Sequence, residues 1–211
     1  MALKTLSAAL LMGLGVAAAQ PLPVLRIEPV TGGSIFYVKN GASQPVTAFL
    51  IELVNYPGSY YALWQDEAAA SLIAPGAEKR IPVTNMTVGA VPDYVKLQAA
   101  LFADGSSAGT PEKVTQLVER RRTILGTTRE LISRIEKAPA KAALTADLKQ
   151  WADSLQPARR ANPAAQATIN QNAARSTIND AVTWLDSHRP EDTIAHLRAI
   201  ERALAASKPA L

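Results

Sequence analysis

Cysteine is absent from this 211-residue chain, and it holds only two histidines. Without thiols no disulfide can staple the fold. The chain must hold together by apolar burial, and its length permits that. The same scarcity removes the usual ligands of a structural zinc site, and no metal or other cofactor is expected. Beyond residue 19 no apolar run is long enough to cross a bilayer, so no transmembrane span is expected after that point. Aromatics make up only 5% of the residues, and their uneven placement divides the chain.

The N-terminus carries the three parts of a secretory signal peptide. Lys4 supplies the positive charge, Leu6 to Val16 the apolar stretch, and Ala17-Ala18-Ala19 the small residues that a signal peptidase reads. The expected cut lies between Ala19 and Gln20. The apolar stretch is short for a membrane anchor, and no cysteine stands at the cut to take a lipid. The mature protein is therefore expected to be periplasmic or secreted. Export also argues against nucleic acid as a partner, although the net charge is +4.

Composition shifts near Pro111. Residues 20–110 hold all five tyrosines, most of the prolines and nearly all the glycines of the mature chain, whereas residues 111–211 hold no Phe or Tyr and only Gly126. The first part is slightly acidic and the second clearly basic, rich in Ala, Arg and Gln. Strands are expected first and helices second, with the boundary within a few residues of Gly109.

Short strands are expected at Leu25–Glu28, Ser34–Lys39, Pro45–Val54, Lys79–Val83 and Tyr94–Ala103. Gly32-Gly33, Asn55-Tyr56-Pro57-Gly58, Ala74-Pro75-Gly76 and Asp104-Gly105 punctuate them, and Asn40-Gly41 is the plainest hairpin signal. Val38-Lys39-Asn40-Gly41-Ala42-Ser43-Gln44-Pro45-Val46-Thr47-Ala48, followed by Ile73-Ala74-Pro75-Gly76, resembles the immunoglobulin-like sandwich modules of bacterial exported proteins. The resemblance covers residues 24–104 and implies an antiparallel Ig-like β-sandwich that scaffolds or binds. The paired cysteines of antibody-type domains are missing, so nothing particular to those carries over.

Helical spacing takes over after Pro111, which suits a first helical position. Val114, Leu117, Val118, Ile124, Leu125, Leu131, Ile132 and Ile135 form a stripe on one long helix, Glu112–Glu136. Further helices are expected at Lys141–Leu155, Ala164–Ser187 and from Pro190 onward, with a frayed tail Ser207–Leu211. Four striped helices imply an α-helical bundle over 111–211. The stripe of the first helix is longer than its successor can cover, so the part around Val114, Leu117 and Val118 should pack on the sandwich.

Few residues suggest chemistry. Gly105-Ser106-Ser107-Ala108-Gly109 matches the G-x-S-x-G elbow of serine hydrolases, with Asp180 or Asp186 and His188 or His196 in the right order. That elbow needs strands after its serine, and none is expected here, so the segment reads as a loop. His188 and His196 are too far apart to share one helix face at metal-ligand spacing. Arg120-Arg121-Arg122 is the densest charge run. It reads either as a contact for an anionic partner, through Arg120 and Arg122, or as a solvated face interleaved with Glu112, Glu119 and Glu130. Arg121 should sit at the core edge against a carboxylate such as Glu28 or Glu52. Tyr56, Tyr60, Tyr61 and Trp64 cluster in one loop, as partner contacts, as cover for the sandwich edge or as packing against the helices. Asn85-Met86-Thr87 is a glycosylation sequon.

The expected function is that of an exported, non-enzymatic binding or scaffolding protein of the cell envelope. Its partner would be a protein or an anionic envelope component. A hydrolase using Ser107 and a self-associating assembly subunit are the alternatives.

Overall fold

The computed structural model describes residues 20–55, 59–66, 68–84, 94–138 and 140–209. The expected signal peptide, Tyr56 and the sequon lie outside the described residues. Seven strands come first: β1 (Val24–Val30), β2 (Gly33–Lys39), β3 (Val46–Leu53), β4 (Ala62–Asp66), β5 (Glu78–Thr84), β6 (Val95–Phe102) and β7 (Ser107–Gly109). Four helices follow: α1 (Pro111–Lys137), α2 (Lys141–Ser154), α3 (Gln166–Ser187) and α4 (Pro190–Ala206). Both sheets are antiparallel, one ordered β1-β2-β5 and the other β4-β3-β6-β7.

The two-residue turn Thr31-Gly32 joins β1 to β2, and Gly32 adopts a φ of 79° there. Asn40-Gly41 does not make the expected hairpin, because β2 and β3 lie in different sheets. Asn40 instead braces the crossing. Its buried side-chain amide donates to the carbonyls of Gln44 (2.9 Å) and Ile73 (2.8 Å), and its Oδ1 accepts from the Ala42 N–H at 2.9 Å. A polar side chain that satisfies three backbone partners outcompetes the local turn preference of its sequence.

β3 is buried on both faces, which explains its nearly unbroken apolar run. Phe49 and Ile51 join Phe36, Val38 and Ile81 of the other sheet in one apolar cluster. Ala48 and Leu50 face the opposite way and meet Leu117 of α1, with Val114 and Val118 at the margin. The first half of α1 therefore lies on the four-stranded sheet. Its second half, Leu131, Ile132 and Ile135, packs with side chains of α2, α3 and α4. One helix serves both halves because its stripe continues through the buried Thr127 and Thr128. The Thr128 hydroxyl donates back to the Ile124 carbonyl at 2.8 Å.

Two expected loops are strands. β4 pairs with β3, placing Trp64 on a sheet edge rather than on a loop. Ser107–Gly109 pairs with β6. The tail is also tied down as far as Lys208, whose carbonyl accepts from Arg121 Nη1 at 3.1 Å. Among the described residues no helix is long and apolar enough to cross a membrane.

Candidate cleft between the sheet edge and the helices

Successive residues on an α-helix are turned by about 100° from one another. The three consecutive arginines of α1 therefore meet three environments. Arg121 has no solvent exposure. Its Nε and Nη2 donate to the two carboxylate oxygens of Asp66 at 2.7 and 3.0 Å, and Nη2 also reaches the Thr47 carbonyl at 3.1 Å. The expected partners were Glu28 or Glu52. Glu52 instead accepts from Lys113 at 3.0 Å, and Glu28 accepts from the Tyr37 hydroxyl at 2.8 Å. Arg122 is exposed and paired with Glu119 one turn back, so it belongs to the solvated face of α1.

Arg120 points elsewhere. It is partly buried and has no hydrogen bond or ion pair within reach among the described residues. Desolvation lowers its affinity for its proton from the ordinary arginine range, and the nearby charge of Asp66 opposes this only in part. Arg120 stands where two adjoining cavities meet, one of about 390 Å³ and one of about 240 Å³. Trp64 and Ala173 line both cavities as well. Together they make a cleft between the free edge strand β4 and one face of α3.

That face follows from helical spacing. Ile169, Ala173, Ser176, Asp180 and Trp184 recur at three or four residues, beside the core face of Ile178, Val182 and Leu185. On β4, alternation puts Ala62, Trp64 and Asp66 on one side. The register with β3 fixes its free edge too. Leu53 N–H donates to the Tyr61 carbonyl at 3.0 Å, so the bonded positions are Tyr61, Leu63 and Gln65. The backbone of Ala62, Trp64 and Asp66 is directed away from β3.

At the far wall Trp184 is stacked between two imidazoles, His188 at 4.2 Å and His196 at 4.0 Å between ring centroids. Its buried indole N–H has no acceptor among the described residues. Asp180, which lines the larger cavity, has its carboxyl raised from the ordinary value by partial burial.

Of the residues singled out from sequence, the structure brings Trp64, Arg120, Asp180 and His196 around the larger cavity, with Tyr60 at the smaller one. Tyr61 instead packs against the cluster between the sheets. The hydrolase constellation is not assembled. Ser107 lies on a shallow surface with Gln20, Leu22 and Pro111, where no histidine or acid is present, while His188 and His196 stack on Trp184. Among the described residues no group of His, Cys, Asp and Glu could hold a metal ion. Trp184 is a cleft residue that no motif announces, and Asp180 and His196 stand out only as partners for Ser107, which lies elsewhere; the periodicity of α3 beside its apolar stripe is the one signal that marks its cleft face.

Comparison with protein-family models, with curated proteins and with solved structures finds no match.

Proposed function

We propose that the chain is an exported, non-enzymatic binding protein of the cell envelope whose partner docks in the cleft between β4 and α3. In this reading the two sheets form an Ig-like sandwich, the helices form a bundle, and the shared helix α1 fixes one against the other. The observation that supports it is the guanidinium of Arg120, which makes no hydrogen bond or ion pair among the described residues, beside Trp64 where the two cavities meet. A partly buried guanidinium that makes no hydrogen bond among the described residues keeps its donors available for something that arrives later. Concave, part-apolar sites with a few convergent polar groups are the common form of ligand site, and about 390 Å³ falls in their usual range.

The cysteine-free sequence allows a direct test. Ser176→Cys places one thiol on the cleft wall, and Ser154→Cys places one on an exposed helix end outside it. Each is labelled with a photocrosslinker and irradiated in intact cells of the exporting organism. A partner caught through position 176 and not through position 154 supports the reading. Equal capture at both positions, or none at 176, contradicts it.

A further inference from the structure

We infer that the cleft receives a monoanionic, carboxylate-bearing ligand, its carboxylate on the Arg120 guanidinium and a flat or ring-shaped body against Trp64. The inference rests on the reading of the cleft as a binding site and adds the chemistry of what fills it. The charges inside the cleft decide the ligand's charge. Asp66 has one negative charge for two guanidinia, and both of its oxygens accept from Arg121, so it offsets Arg120 only in part. One positive charge is therefore left over at the junction of the cavities. Asp180 lies on the same wall system and would repel a second negative charge, which disfavours a dianion such as phosphate. A guanidinium presents parallel donors that match the two oxygens of a carboxylate.

Shape decides the rest. Trp64 lines both cavities next to Arg120, so a group bound at the guanidinium lies beside an indole. Indole faces take flat rings or the apolar faces of sugars. An aromatic acid and a sugar acid share this chemistry.

The test uses the mature chain carrying Trp151→Phe. Trp151 packs with α1 under Arg134, away from the cleft, so this change leaves Trp64 and Trp184 as the only emitting indoles. Benzoate and glucuronate are titrated at constant ionic strength, with benzamide, glucose and inorganic phosphate alongside. A saturable change in emission is expected with at least one of the two acids, and which one responds distinguishes the two sources. The uncharged counterparts should give none. Arg120→Gln should weaken the response at least about tenfold, whereas Arg122→Gln should leave it unchanged. The inference is overturned if neither acid saturates, if an uncharged counterpart binds as well, if phosphate binds more tightly, or if Arg120→Gln has no effect. In any of these cases crosslinking through position 176 decides separately whether the cleft is still a binding site.

Discussion

Arg121 and Asp66 form a two-point pair, Nε to Oδ2 at 2.7 Å and Nη2 to Oδ1 at 3.0 Å, with the guanidinium fully enclosed. The pair ties α1 to β4. Through further bonds from the same guanidinium to the Thr47 and Lys208 carbonyls, it also ties in β3 and the C-terminal tail. Removing one member of such a pair leaves the other charge buried alone. Arg121→Met should therefore lower stability by about 3–5 kcal/mol, read from denaturant unfolding. Adding Asp66→Leu to that variant should restore much of the loss. If Arg121→Met unfolds at the same denaturant concentration as the wild type, the pair does not hold the halves together.

Leu117 is 3% exposed and sits among Ala48, Leu50, Ala99 and Leu101 of the sheet. Leu117→Ala should cost about 2–5 kcal/mol. All five tyrosines lie before Pro111, so their absorbance follows the strands while helical circular dichroism follows the rest. Both signals should shift to the same lower Tm. A shift of one signal alone would mean that the halves unfold independently.

Gly109 ends β7 and turns the chain into α1 with a φ of 108°. A Cβ there would lie 2.1 Å from the Gln98 carbonyl oxygen. Gly109→Ala combines backbone strain with that clash and should destabilise by at least about 1–3 kcal/mol. A variant as stable as the wild type would show that the strand-to-helix turn tolerates another path.

Burial raises the Tyr60 hydroxyl from 10.0 to about 12, with the charge of Glu52 adding to the effect. The phenol is then ionised in the unfolded chain before it is in the folded one. Its contribution to stability is complete below pH 10.0 and declines as pH rises toward about 12. Ultraviolet difference titration of wild type against Tyr60→Phe should show one late-ionising phenol missing from the variant. An unshifted phenol in the wild type would place Tyr60 in open solvent.

Composition alone separated strands from helices, because turn residues and tyrosines stop where alanine-rich periodicity starts. The long stripe of α1 also anticipated that Leu117 would meet the sheet. Two strands were hidden for a physical reason. β4 follows a turn cluster and spans only five residues, and β7 is made of small residues whose pairing with β6 is a tertiary choice. The destination of Asn40-Gly41 was likewise set by remote carbonyls rather than by its own turn preference. In the cleft, Trp64 and Arg120 stood out as residue types. Their meeting with Trp184 and Asp180 depends on how α3 lies against α1, which no local pattern encodes. The three arginines could not be told apart by identity; only the rotation of about 100° per residue separates them.

In the proposed reading Arg120 is kept for a partner and Arg121 for the fold. Thermal unfolding of Arg120→Met beside Arg121→Met, both without ligand, separates the two roles, because methionine keeps much of the apolar stem and removes the charge with its hydrogen-bond donors. Arg120→Met should be as stable as the wild type or more so, since an unpaired charge is taken out of the cleft, while Arg121→Met should melt well below it. If Arg120→Met melts as low as Arg121→Met, then Arg120 is a structural residue and the cleft is not a site held ready for an anion.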